Sequence, residues 1–108
     1  MNLDSREIDG AVVVTLAGEV DLSHSPALRK SLMDLMLARR DVAVDLAGVA
    51  YIDSSGIAGL VEAYQMSRKN GTRFVLAAIS DPVKRVLQLA RLDRVFAIAE
   101  TVEAALKG

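Results

Sequence analysis

The chain has 108 residues, 52% of them apolar, which suits one small domain with a single core. Its 13 Lys and Arg residues nearly balance 14 Asp and Glu residues, and it has only two Phe and two Tyr, so direct nucleic-acid binding is not expected. The absence of cysteine excludes disulfides and thiolate metal sites, and no apolar run is long enough to cross a membrane, so we expect a cytoplasmic protein without a metal, a cofactor or a membrane-inserted segment.

The chain begins with a predicted β-hairpin. Residues 3–8 alternate weakly between apolar and polar side chains, and residues 11–17 are rich in β-branched side chains. The pair Asp9-Gly10 between them is a common hairpin turn. Residues 18–22 are then expected to leave the strand and lead to the first helix.

The first helix is predicted from its start signal and its apolar face. Ser25 is the expected N-cap and Pro26 the first helical residue, a position that tolerates a missing N–H. We expect this helix to end near Arg40. Its apolar side chains recur at helical spacing, which predicts that one face lies against a sheet; they are Leu28, Leu32, Leu35 and Met36.

A strand, a connection and a second helix are predicted in the centre of the chain. Residues 42–46 predict a buried strand, and residues 47–50 are expected to connect it to residues 51–56, which read Tyr-Ile-Asp-Ser-Ser-Gly. The helix that follows should end at Asn70-Gly71, because glycine adopts the left-handed conformation that often closes a helix.

The C-terminal part of the chain repeats this alternation. Residues 72–79 are nearly all apolar and predict a central strand covered on both faces. Ser80-Asp81-Pro82 should open a third helix, and residues 94–98 predict a short edge strand. Thr101 is the expected cap of a last helix over residues 102–107.

Strands that alternate with helices after a hairpin predict an α/β domain. We expect a mixed, mostly parallel sheet of about five strands with an N-terminal hairpin, and about four helices. In such sheets ligands and partners meet the loops beyond the strand ends. Residues 21–25 and 53–56 could therefore converge at one edge.

The best candidate site is the strand-to-helix passage at residues 53–56. Whether Asp53 or Ser54 is the N-cap, Ser55 falls in the first turn, where backbone N–H groups lack intrahelical partners and the helix dipole favours negative charge. A phosphate could be held there. Helix capping alone would also explain both serines, and the residues by themselves do not distinguish one serine from the other.

Three motifs follow one another along these elements. They are residues 18–21 (Gly-Glu-Val-Asp) after the hairpin, residues 45–56 from Asp-Leu to Ile-Asp-Ser-Ser-Gly, and residues 78–87 (Ala-Ile-Ser-Asp-Pro-Val-Lys-Arg-Val-Leu) leading into Leu92. With these motifs the whole chain, residues 1–108, resembles a single STAS domain. Within that family it resembles the bacterial anti-sigma-factor antagonists.

This resemblance implies a partner-switching protein and not an enzyme. Such an antagonist binds an anti-sigma factor that is also a serine kinase, and it thereby frees a sigma factor and regulates transcription. The kinase inactivates it by phosphorylating the second serine of the motif, here Ser55, and a serine/threonine phosphatase reverses the modification. The resemblance places Asp53, Ser54, Gly56 and Asp21 next to this serine.

The partner-binding surface is predicted at Ser25, Ile57, Gly59 and Met66. The small residues of the second helix allow two interpretations: close packing against a neighbouring element, or a shallow docking surface with Met66 as an adaptable contact. The helix's rotation is not fixed by its sequence, so both stay open here.

Two other functions compete with this interpretation. His24 and a serine could form a hydrolase site, but the sequence lacks a Gly-x-Ser-x-Gly elbow, so catalysis is not expected. The chain could instead be a constitutive STAS adaptor subunit of an ABC-type phospholipid transport complex, which would need no phosphorylation. A weak homodimer is also left open.

Overall fold

The computed structural model describes residues 1–107, which form a five-stranded sheet and four helices. In chain order the elements are β1 (Asn2–Ile8), β2 (Ala11–Val20), α1 (Ser25–Leu37), β3 (Val42–Ile52), α2 (Ser54–Asn70), β4 (Phe74–Ala77), α3 (Asp81–Leu89), β5 (Ala97–Ala99) and α4 (Val102–Lys107).

The strands lie in the sheet in their sequence order, β1-β2-β3-β4-β5. The hairpin strands β1 and β2 are antiparallel, and every later neighbour is parallel. The turn between β1 and β2 is Asp9-Gly10, and both residues have positive φ, at 53° and 84°. This pattern suits the primed turns that match strand twist. The predicted α/β fold with a mixed, mostly parallel sheet is confirmed.

The order of strands decides which face each helix covers. Every crossover moves one strand further in the same direction, and right-handed crossovers then place α1, α2 and α3 on the same face. These helices bury the main core against β2, β3 and β4. The shorter α4 packs on the opposite face, where Ala105 contacts a small cluster around Ala43, Val75 and Ala77.

Strands β2 and β3 are longer than the sequence predicts. β2 was expected to end at residue 17, but it runs to Val20 because Gly18 takes a positive φ of 85° beside a shift in register. The predicted connection at residues 47–50 is also wrong, since Gly48 and Val49 pair with β2 and the strand β3 continues to Ile52. The added length carries the ends of both strands to the site.

The start and end of α1 also differ from expectation. His24 is the N-cap and makes no side-chain cap bond, whereas Ser25, the predicted cap, is the first helical residue. The reason is local: the amides of His24 and Ser25 both donate to the Asp21 carbonyl, so the chain turns before Ser25. The helix ends at Leu37 and not near residue 40, because Arg39 adopts a left-handed φ of 57°.

The last two strands form where the sequence predicts them, but each is shorter than predicted. β4 is fully buried, as expected for a central strand, but covers only four residues before Ala78 takes a φ of 52°. Ser80 is the N-cap of α3, but its hydroxyl makes no cap bond. The hydroxyl donates instead to the Val49 carbonyl at 2.6 Å. The last strand begins at Ala97, because a turn occupies the residues before it.

Two predicted helix ends are confirmed. Gly71 closes α2 in the left-handed conformation at φ 72°, and the Thr101 hydroxyl accepts a 3.0 Å hydrogen bond from the amide of Ala104 in α4. Within residues 1–107, no helix combines the length and apolar character needed to cross a membrane.

Candidate functional site

The candidate site lies where β2 and β3 end side by side. Val20 and Ile52 are paired in the parallel sheet, and an aspartate follows each of them directly. The Asp53 amide donates to the Val20 carbonyl at 3.2 Å, which joins the two loops at their base. The structure therefore brings Asp21 and Asp53 to one edge of the sheet, as the parallel order predicts.

Asp53 is the N-cap of α2, which settles the choice that the sequence left open. One carboxylate oxygen, Oδ1, accepts hydrogen bonds from the Ser55 amide at 3.0 Å, the Gly56 amide at 3.1 Å and the Ser55 hydroxyl at 2.5 Å. These bonds satisfy amides that have no partner inside the helix.

The same contacts keep Asp53 ionised. The hydrogen bond from the Ser55 hydroxyl is the largest cause of a lowered pKa at Asp53; desolvation opposes it, and the amides of Gly56, Ser55 and Leu22 assist it. Hydrogen bonds to a carboxylate favour its charged form. At neutral pH the N-cap is therefore an anion beside a hydroxyl.

The two serines of the motif have different surroundings. Ser55 is half-buried, and its hydroxyl is fixed on Asp53. Ser54 is exposed, and among the hydrogen bonds found within residues 1–107 its hydroxyl makes none. The structure thus separates two serines that the sequence alone could not.

The loop after β2 repeats the arrangement at Asp53. Oδ1 of Asp21 accepts the Ser23 amide at 3.1 Å and the Ser23 hydroxyl at 2.7 Å, and it lies 2.7 Å from Nδ1 of His24. The Ser23 hydroxyl bond is the largest cause of a lowered pKa at Asp21, opposed by desolvation and assisted by His24. An Asp-x-Ser turn therefore follows each of the two paired strands.

The contacts of His24 do not build a hydrolase. Asp21 holds its Nδ1, as an aspartate does in a catalytic triad, but its Nε2 lies 3.4 Å from the amine of Met1 and not on a serine hydroxyl. The Ser55 hydroxyl donates to Asp53 instead. Over the described residues, no group of three His, Cys, Asp or Glu side chains is placed to bind a metal ion.

A groove of about 440 Å³ runs between α1 and α2, with Ser55 in its wall. An ion pair lines the groove: Nε and Nη2 of Arg29 donate to the two carboxylate oxygens of Glu62 at 2.6 to 3.0 Å. Bidentate pairs of this kind fix geometry more than they stabilise an exposed surface. The pair aligns the two helices next to the serine.

The four residues predicted as a partner surface are mostly covered. Ser25 is 8% exposed and Ile57 is 7% exposed, while Gly59 is buried and Met66 is half-buried against the core. Their burial comes from α2 packing its small residues towards α1 and the strand ends. Ser25 and Gly59 nevertheless line the groove between α1 and α2, whereas Ile57 does not.

Two exposed apolar residues beside the site were missed from the sequence. Leu22 is 73% exposed in the loop after Asp21, and Tyr51 is 50% exposed near the end of β3. A single leucine in the polar run Asp-Leu-Ser-His-Ser was a signal that could have found the first. Exposed apolar side chains next to a site commonly contact a partner.

Comparison with known proteins identifies the family. The STAS domain pattern matches residues 2–105, which is nearly the whole chain. The chain belongs to the STAS domain family. The curated anti-sigma-B factor antagonist of Bacillus subtilis is 27% identical over 107 residues, covering 99% of this chain and 98% of the relative.

Solved STAS structures share this fold. An anti-sigma factor antagonist from Mycobacterium paratuberculosis is 27% identical with a TM-score of 0.89, covering 98% of this chain and 91% of the other. An anti-sigma-factor antagonist (STAS) domain protein from Planctomyces limnophilus is 22% identical with a TM-score of 0.83, covering 97% and 96%. The second likeness supports the fold alone.

Proposed function

We propose that this protein is an anti-sigma-factor antagonist, a regulatory protein without catalysis of its own, that is switched off by phosphorylation of Ser55. Its partner is an anti-sigma factor with serine kinase activity, and a serine/threonine phosphatase restores the active form. One observation carries the proposal: the Ser55 hydroxyl sits half-exposed on the first turn of α2, bonded to an ionised Asp53. The full-length likeness to named antagonists supports it.

The unmodified surface suits protein binding. Exposed Leu22 lies in the loop after β2, and exposed Ser54 and Ala58 lie on the first turns of α2. This surface combines apolar area with the hydroxyl groups of the motif, and it carries no dense charge. A partner that covers it leaves the Asp53 and Asp21 carboxylates bonded to the hydroxyl and amide groups of their own loops.

Phosphorylation changes that surface by charge. A phosphate on Ser55 adds roughly −1.5 to −2 charges and removes the hydroxyl donor that Asp53 now uses. Amides and the dipole at the start of α2 offset part of this charge, so the domain stays folded. A partner whose surface is apolar or acidic there is repelled, which releases the anti-sigma factor.

The modification is tested by incubating the protein with ATP and each anti-sigma kinase of its source organism, followed by mass spectrometry. We expect label on Ser55 and none on a Ser55→Ala variant. A constitutive adaptor predicts no label with any kinase, so complete absence of labelling would reject the switch.

Binding to the kinase is then measured by calorimetry for the unmodified protein, Ser55→Ala and Ser55→Asp. We expect Ser55→Ala to bind like the unmodified protein and Ser55→Asp at least about tenfold more weakly, because introduced like charge opposes docking. Ser54→Asp is the matched control, with the same charge on the neighbouring residue. Equal binding by Ser55→Asp and the unmodified protein would contradict the proposal.

A further inference from the structure

We propose that the Asp53 carboxylate is the positioning group that makes Ser55, and not Ser54, the phosphoacceptor. It holds the Ser55 hydroxyl proton and leaves the lone pairs of Oγ free to attack phosphorus. This inference rests on the proposed function, since it concerns the chemistry of the same serine.

The positioning contact is short and well supported. Oγ of Ser55 lies 2.5 Å from Oδ1 of Asp53, and the same oxygen is held by the amides of Ser55 and Gly56. Because the carboxylate is anchored to the helix start, it cannot turn away from the hydroxyl without uncapping α2. The Ser55 rotamer is thereby fixed before any kinase binds, which lowers the orientational cost of reaction.

Exposure by itself favours the other serine. Ser54 is exposed and Ser55 is half-buried, so a kinase limited only by access would modify Ser54. Ser54, however, is exposed and has no hydrogen-bond partner for its hydroxyl among residues 1–107. Its attacking oxygen must be oriented by the kinase alone. Solvent exposure alone predicts that Ser54 is phosphorylated faster than Ser55; orientation of the Ser55 hydroxyl by Asp53 reverses this preference.

The transfer balances with ATP as the phosphoryl donor. A bond forms between Oγ of Ser55 and the γ-phosphorus, the bond from that phosphorus to the β–γ bridging oxygen breaks, and ADP leaves with the electron pair. The hydroxyl proton passes to Asp53 and then to water. The hydroxyl becomes strongly acidic only as the new bond forms, so a carboxylate of low pKa accepts the proton late.

Steady-state phosphorylation of Asp53→Asn tests the role. Asparagine keeps a cap oxygen for the amides of α2 but is neutral, so the helix start is retained. We expect kcat to fall about 100-fold, KM to change less than about threefold, and the fraction of label on Ser54 to rise. Asp45→Asn is the matched control, because Asp45 also accepts an amide two residues on, from Ala47 at 3.0 Å, far from the serines on β3.

The outcomes separate this inference from the proposed function. An unlabelled wild-type protein would reject the proposed function. If the wild type is labelled, an unchanged kcat and an unchanged ratio of label on the two serines in Asp53→Asn overturn the positioning role. Three-bond NMR couplings of the wild type give a test without kinase: one rotamer at Ser55 beside averaging at Ser54 supports the role, and averaging at Ser55 overturns it.

Discussion

At the scale of single residues, Asp53 links the fold to the switch through one oxygen atom. That oxygen caps α2 through two amides and holds the Ser55 hydroxyl at 2.5 Å. A phosphate on Ser55 would remove the hydroxyl donor and place like charge next to the carboxylate. Phosphorylation of Ser55 therefore changes the contacts of Asp53, the N-cap of α2, directly.

The lowered pKa of Asp53 predicts how stability depends on pH. The unfolded chain binds a proton at Asp53 near pH 4, whereas the folded chain holds this carboxylate ionised to lower pH, mainly through the Ser55 hydroxyl. The stabilisation is therefore complete above that pH and is lost as pH falls through the folded pKa. We expect the difference in unfolding free energy between wild type and Asp53→Asn to be constant from pH 7 to about 5 and to shrink below about 4.

Urea unfolding at a series of pH values measures this difference. Ser55→Ala should reduce the pH dependence, since it removes the largest cause of the pKa shift, and Ser54→Ala should leave it unchanged. A wild-type advantage that grows on acidification would contradict the assigned contacts.

At the scale of elements, α2 depends on two glycines with different neighbours. A Cβ on Gly56 would lie 2.8 Å from Cγ1 of Val20 and 2.9 Å from Cγ1 of Ile52, both buried, and 3.2 Å from the Val20 carbonyl. A Cβ on Gly59 would meet its nearest such neighbour, Cβ of Arg29, at 4.0 Å. Close packing therefore explains Gly56, whereas Gly59 lines the groove between α1 and α2.

This contrast predicts opposite effects of the same substitution. Gly56→Ala should lower the free energy of unfolding by about 1–3 kcal/mol, because buried side chains and a backbone oxygen must move. Gly59→Ala should raise it by up to about 1 kcal/mol, because its methyl group fits and alanine favours the helix. Thermal and urea unfolding of both variants decide the matter. Equal stability of the two would show that α2 does not approach the strand ends this closely.

Much of this element order could be predicted from local signals. Proline near a helix start, glycine after a helix end and the Asp9-Gly10 turn each act through backbone conformations that the residue itself favours. The strand extensions could not be predicted this way. Residues 18–20 and 47–52 form strands because each pairs with the other, and such pairing depends on residues distant in sequence.

The candidate site could be located from sequence but not resolved in detail. The position of Ser55 at a helix start follows from the apolar pattern around it. The rotation of α2 does not, since it depends on how closely Gly56 and Gly59 let the helix pack, and this is why buried Ile57 was expected at a surface. Leu22 was missed because its exposure follows from the hydrogen-bonded turn at Asp21.

At the scale of the whole molecule, the site lies at the ends of two inner strands, beside the main core. The paired ends of β2 and β3 carry both aspartates at one edge, while α4 packs on the opposite face against β3 and β4. The main core lies between the sheet and the first three helices and has no charged member. A charge added at the strand ends therefore stays outside the closely packed core and need not change its packing.

This arrangement predicts a local response to the switch. In amide NMR spectra, phosphorylated protein or Ser55→Asp should shift the signals of residues 20–25 and 51–59 and leave those of β4 and α4 in place, because the Asp53 contacts end within these two loops. Ser54→Asp is the matched control and should give smaller shifts at residues 20–25, since its side chain does not bond to Asp53. Large shifts in α4 would mean that the modification repacks the domain, and loss of partner binding would then follow from a change of shape and not from charge at the surface.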